Sequence, residues 1–204
     1  MKTIHNKLIF AILFLLSFIQ IIAQNNISLK LTNLSYQLTE TQPDLIKLKI
    51  SENGQLALEP GLLFSYEGYA SSTTALKLVQ SIILDKAMHI SGMTQLMIKF
   101  RLVKSFKHSF YFGFGPAYHY RKSWADMEGY VDEPIYNEST DWQHRLNWLS
   151  GEIEYNYYLT KRSDLSISIN HTQAESIGIA FGYKYWLNKN PGKKKGCVSC
   201  PSFK

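Results

Sequence analysis

Ser176 to Trp186 reads S-I-G-I-A-F-G-Y-K-Y-W. Ile177, Ile179, Phe181, Tyr183 and Tyr185 alternate with Gly178, Ala180, Gly182 and Lys184. Successive side chains of a strand point to opposite faces. This segment therefore has one large apolar face and one face of small groups plus a charge. Its length is that of a tilted strand crossing a bilayer.

Turn signals divide the rest of the body in the same manner. About eight extended runs are predicted, at 27–38, 55–67, 73–85, 90–104, 109–122, 146–159, 164–171 and 175–187. The first loses its alternation near Asn33, which predicts a bulge. In the fifth, Phe110, Phe112, Phe114, Tyr118 and Tyr120 oppose Tyr111, Gly113, Gly115, Ala117 and His119. In the sixth, Leu149, Gly151, Ile153, Tyr155, Tyr157 and Leu159 oppose Ser150, Glu152, Glu154 and Asn156.

Alternation does not say which face is inside. A soluble lipocalin-like barrel turns its apolar face inward, and a membrane barrel inverts this. Three features predict inversion. The second face is rich in Gly, Ala and Ser, which suits a narrow bore. Tyr118, Tyr120, Tyr155, Tyr157, Tyr183, Tyr185 and Trp186 gather near strand ends, as interfacial girdles require. The strands are long for a soluble protein of this size.

The ends of the chain fit an exported protein. Residues 1–23 read as a cleaved signal peptide: Lys2 and Lys7, an apolar run from Leu8 to Ile22, then Ala23-Gln24. An uncleaved membrane anchor is the other reading. Residues 24–188 form the barrel domain, and 189–204 a short disordered basic tail. The net charge of +6 misleads, because signal and tail carry seven of the 22 Lys and Arg, leaving 15 against 16 acids in the body. That balance gives no basic surface for nucleic acid.

In pattern the whole body resembles the small outer-membrane β-barrel superfamily of Gram-negative bacteria. The resemblance implies an all-β fold: a single antiparallel up-and-down transmembrane barrel of the eight-stranded, porin-like type, in contact with outer-membrane lipid. The turns at 104–108 and 159–164 are tight and basic, and the 122–145 segment is long and acidic. Such barrels pair short periplasmic turns with longer outer loops. Both termini are then expected in the periplasm.

On this parity Lys30, Glu59, Lys77, Lys99, Arg101, Glu152, Glu154 and Lys184 face the lumen. Buried charges need partners, so they are expected to form a ladder of ion pairs that plugs the bore; an ion path is the alternative. The 122–145 loop offers Trp124, Asp126, Glu128, Tyr130, Asp132 and Glu133 as binding candidates. Its acids and aromatics suit a divalent cation, a glycan or a protein, although the spacing is not that of a calcium loop.

His171, in I-N-H-T-Q-A-E-S, resembles in part the outer-surface His of the lipid A deacylases, which are also eight-stranded barrels. That family's motif implies a Ser two positions after the His. Gln173 stands there instead, and Glu175, Thr172 and Ser176 are the remaining candidates. Without a nucleophile beside the base no acyl-enzyme forms, so no catalytic residue is assigned. Cys197 and Cys200 are read as a small disulfide, with free thiols or a metal or redox pair as alternatives. The chain contains no phosphate-binding loop, no His-Glu-x-x-His and no Gly-x-Ser-x-Gly. It implies no cofactor and no metal. The expected function is a non-enzymatic outer-membrane barrel, structural or binding a partner through its long loop. A lipid hydrolase, and a narrow pore or accessory subunit of an envelope complex, are the alternatives.

Overall fold

A computed structural model describes residues 24–37, 46–52, 55–130, 136–139, 141–172 and 176–188. The signal, the tail with Cys197 and Cys200, and Asp132, Glu133, Gln173 and Glu175 lie outside the described residues.

The strands are β1 (Gln24–Gln37), β2 (Leu56–Tyr69), β3 (Thr74–Leu84), β4 (Ile90–Lys104), β5 (His108–Lys122), β6 (Asn137–Ser139), β7 (Trp142–Thr160), β8 (Ser163–Thr172) and β9 (Ser176–Trp186). All pairings are antiparallel between chain neighbours, except that β1 also pairs with β9 and β5 with β7. Eight strands thus close on themselves, and the three-residue β6 lies against the first residues of β7. Closure leaves no unpaired barrel edge. The fold is the expected eight-stranded barrel.

Local chemistry sets the details. Register with both neighbours shifts between Thr32 and Leu34, so the bulge falls at Asn33. A second irregularity sits where Gly115 pairs with Ser150 and Ala117 with Asn147. Pro116 has no N–H to give the ladder there, and β7 bulges outward with Trp148 and Leu149 exposed. At the seam between first and last strands, a Cβ on Gly182 would lie 2.1 Å from the Leu29 carbonyl oxygen. Only glycine permits that approach, and it leaves room for Lys30, its register partner.

The two ends differ. Three short turns, 70–73, 105–107 and 161–162, lie with the described chain ends at one end of the barrel. The longer connections lie at the other. β7 starts at Trp142, so the expected 122–145 loop is shorter, spanning 123–141: Lys122 pairs with Trp142.

Side chains sort by parity on every strand. Ile27, Leu29, Phe64, Leu78, Ile98, Phe112, Ile153, Ile167 and Phe181 are exposed on the outside. Lys30, Ser65, Glu67, Lys77, Gln95, Lys99, Glu154, Ser168 and Lys184 are buried inside. One outer row runs through register partners Phe100, Phe112, Ile153, Ile169 and Ile179. The barrel is inside out relative to a soluble protein.

Candidate functional site

The bore is crossed near the turn end by one ion-pair cluster. Glu154 is its hub. Its carboxylate accepts from Lys30 Nζ at 2.8 Å, Lys77 Nζ at 2.8 Å, Lys99 Nζ at 2.7 Å, and Lys184 Nζ. Glu152 holds Lys30 at 3.0 Å and Lys77 at 2.5 Å. Glu67 holds Lys99 at 2.7 Å, Lys184 at 3.0 Å and Lys77 at 3.5 Å. Asn26 Nδ2 donates to Glu67 at 3.0 Å and Lys30 Nζ to Ser168 Oγ at 2.9 Å. The Tyr111 ring lies 4.4 Å from Lys99 Nζ and 5.7 Å from Lys184 Nζ. Four lysines thus face three carboxylates, and the ring's negative face offsets part of the surplus.

Every barrel strand contributes, β5 through Tyr111 and β8 through Ser168. Glu67, Glu154 and Lys184 are each 0% exposed, so the centre of the cluster is out of contact with solvent. An eight-stranded barrel has room for little more than its own side chains. Pairing of this kind is what charges in such a bore require.

Six of the sequence-derived lumen residues, Lys30, Lys77, Lys99, Glu152, Glu154 and Lys184, meet here. Glu59 is buried elsewhere, beside Ser35 and Lys86 towards the loop end. Arg101 shares the inward parity but sits half-exposed at the turn end. Glu67 is a member that the sequence reading misses. The predicted second strand stops at 67, whereas β2 continues to Tyr69, itself buried. Its parity with Glu59 is the available signal.

A second layer closes the loop-end mouth. Trp124 is 2% exposed, so the ring expected on an open binding loop is packed into the barrel. Its Nε1 donates to Asp85 Oδ2 at 2.8 Å, and Asp85 Oδ1 accepts from the amides of Ala87 at 3.0 Å and His89 at 2.7 Å. The Arg121 guanidinium is sandwiched at 4.0 Å from both the Trp124 and the Tyr136 rings. Arg121 Nε also donates to Gln143 Oε1 at 2.8 Å, and Gln143 donates to the Tyr130 hydroxyl at 2.9 Å. Tyr130 is therefore a packing residue of the mouth, edge-on to Trp124. Asp126 and Glu128 stay at least partly exposed. Burial pushes the Asp85 carboxyl above its ordinary value of 3.8, the bonds from His89 and Trp124 acting against that.

Trp186 also departs from expectation. It shares Lys184's parity, so it lies inside rather than in a girdle. Its Nε1 donates to Asp164 Oδ2 at 2.7 Å, and its ring centroid is 5.4 Å from that of Tyr69. The outer girdles are Tyr155, Tyr157, Tyr183 and Tyr185 at the turn end, and Tyr118, Tyr120 and Trp142 at the loop end. From Phe110 to Tyr120 the chain climbs about 33 Å, or about 25 Å along an axis tilted near 40°. That is the height of the apolar band of a transmembrane barrel. One polar residue in the band, Gln80, is satisfied laterally: it donates to Tyr120 at 2.6 Å and accepts from Thr94 at 2.7 Å.

His171 pairs in register with Ile177, on the outward row, whereas Ser176 is buried and pairs with Thr172. Strand parity thus sets His171 and Ser176 on opposite faces of the sheet. Among the described residues no group of three His, Cys, Asp or Glu side chains is placed to hold a metal.

A closed ring, a charged and filled bore and an exposed apolar band between two aromatic girdles define the class: an eight-stranded transmembrane β-barrel. No family model and no curated protein matches the chain. Among solved structures, the N-terminal β-barrel domain of Pseudomonas aeruginosa OprF is 12% identical, with 80% of this chain and 98% of that one covered and a TM-score of 0.46. Ail, the attachment invasion locus protein of Yersinia pestis, solved with the heparin analogue sucrose octasulfate, is 8% identical over 80% and 99%, with a TM-score of 0.46. OprG of Pseudomonas aeruginosa is 11% identical over 82% and 97%, with a TM-score of 0.42. Similarity of this degree carries no functional argument; the class rests on the barrel's own geometry.

Proposed function

We propose that the protein is a non-enzymatic outer-membrane barrel, closed to solute flow, that stands in the envelope and presents its loop end outward to a protein or glycan partner. The bore that is filled by the Glu154 cluster is the observation that carries this reading. The sealed mouth supports it, and Asp126, Glu128 and Asp141 are exposed acids on the 123–141 loop among the described residues. Residues 1–23 act as the export signal, and both chain ends, with the Cys197 and Cys200 tail, lie in the periplasm. Hydrolysis finds no support, because a base and a nucleophile must meet within hydrogen-bond reach.

The test combines three measurements. The protein should fractionate with the outer membrane and run at a different gel mobility before and after boiling. A tag at Gly129 should be labelled on intact cells, and one after Lys204 should not. Planar bilayers holding the protein should stay electrically silent, and should remain silent with Trp124→Ala because the lower cluster still closes the bore. Regular conductance steps would refute the closed-barrel reading. Acyl release from lipid A that is lost in His171→Ala would refute the non-enzymatic one.

A further inference from the structure

The turn end of the barrel carries a one-sided basic patch that the closed bore does not use. Lys104 and Lys107 flank the β4–β5 turn, and Lys161 and Arg162 make the β7–β8 turn. All four are exposed. The two turns are held on one arc of the rim. Ser105 N donates to the His108 carbonyl at 2.8 Å, Tyr158 N to the Lys107 carbonyl at 2.9 Å, and Trp186 N to the Arg162 carbonyl at 2.8 Å. The third turn, Ala70 to Thr73, is uncharged.

Neither basic turn carries an acid of its own. Asp164, which follows the second turn, is 4% exposed, accepts from Trp186 and lines a small recess at the turn end together with Lys104 and Lys107. It therefore offsets part of the charge on that side, while Lys161 and Arg162 point to the rim. Phe106, between Lys104 and Lys107, is 87% exposed. A bare aromatic ring flanked by cations is poorly suited to water and well suited to the boundary between headgroups and acyl chains. The aromatic girdle fixes the level. His108 Nδ1 lies 2.7 Å from the Tyr155 hydroxyl, and its ring centroid is 5.4 Å from that of Tyr157. With those tyrosines at the interface, the four cations stand one step beyond it, at the depth of lipid phosphates.

We propose that this arc, Lys104, Lys107, Lys161 and Arg162 around Phe106, is a binding surface for anionic phospholipid headgroups. It holds that side of the barrel to the leaflet that meets the turn end. The proposal rests on the membrane-spanning reading. The ligand chemistry is a phosphodiester in a negatively charged headgroup. Lysine ammonium groups engage it as point charges and Arg162 as a planar fork.

The experiment uses the full chain carrying Phe106→Trp, refolded into phosphatidylcholine vesicles. Brominated phosphatidylglycerol or brominated phosphatidylcholine is the quencher, and the parent chain supplies the background from its own tryptophans. Phosphatidylglycerol should quench the introduced indole at lower mole fraction, the preference growing by about fivefold per cation engaged. About 1 M salt, where the screening length is about 3 Å, should abolish the preference without any change of residue. Replacing all four basic residues by Gln should abolish it too, whereas Lys47→Gln with Lys49→Gln, at the opposite end, should leave it intact. Equal quenching by the two lipids would overturn the proposal. So would a preference that survives high salt, or one removed by excess soluble glycerol phosphate, which would mark a free-phosphate site. A protein that inserts into neither vesicle would instead refute the membrane reading itself.

Discussion

Glu154→Gln tests whether the cluster in the bore is one cooperative unit. The wild-type carboxylate touches four lysines, all at 2% exposure or less. Without it, Lys30 and Lys77 share Glu152, and Lys99 and Lys184 share Glu67, so two carboxylates serve four buried ammonium groups. At an effective dielectric near 20, each contact of about 2.8 Å is worth roughly 6 kcal/mol before desolvation. Most of that is offset by the cost of burying the ions. Removing one partner of a buried pair leaves a net loss of about 3–5 kcal/mol. The Gln oxygen still accepts one bond, so the lower half of that range is expected. Glu152→Gln, which frees only Lys30 and Lys77, should cost less. Lys184→Met removes a cation from the surplus side. In the double variant it should recover about 2 kcal/mol of the Glu154→Gln loss, a coupling that a double-mutant cycle measures directly. The assay is urea unfolding of vesicle-inserted protein, followed by gel mobility before and after boiling. A Glu154→Gln barrel within about 1 kcal/mol of wild type, or additive effects in the double variant, would refute the hub.

Phe112→Arg, Ile153→Arg and Ile179→Arg lie on one outer row and should each cost about 2–4 kcal/mol in vesicles if that row is near the midplane; harmless outer substitutions would restore the soluble alternative. Gly182→Val drives a Cβ into the Leu29 carbonyl at the β1–β9 seam, so it should destabilise the barrel by about 1–3 kcal/mol. An unchanged unfolding midpoint would mean that the seam is looser than drawn. The folded state holds a proton on Asp85 more tightly than the unfolded state does, because burial raises its pKa. Its stability contribution is therefore full at low pH and falls as pH rises from about 4 through the raised value. Wild type minus Asp85→Asn stability, measured from about pH 4 to about pH 8, should slope downward, and an upward slope would contradict the assignment.

The sequence alone determined the strands and their two faces. Period-two alternation is a local property: a residue's face follows from its neighbours two positions away. That is why β4 and β9, the row from Phe112 to Ile179 and the bulge at Asn33 were legible, and why Lys30, Lys77, Lys99, Glu152, Glu154 and Lys184 were assigned inward. Trp186 was legible by the same rule, since it shares parity with Lys184, but aromatic character at a strand end pointed the other way. Which inward charges touch is not local. Closure of β1 on β9 and the register between strands set the height of each residue in the bore, so only the tertiary structure could single out Glu154 as the hub and bring in Glu67. The mouth followed the same logic. Trp124 lies in a connection without periodicity, and its burial depends on Asp85 and Arg121 arriving from other parts of the chain. Strand patterns fix direction along one segment, whereas ion pairing and plugging depend on distances between segments that the closed ring alone imposes.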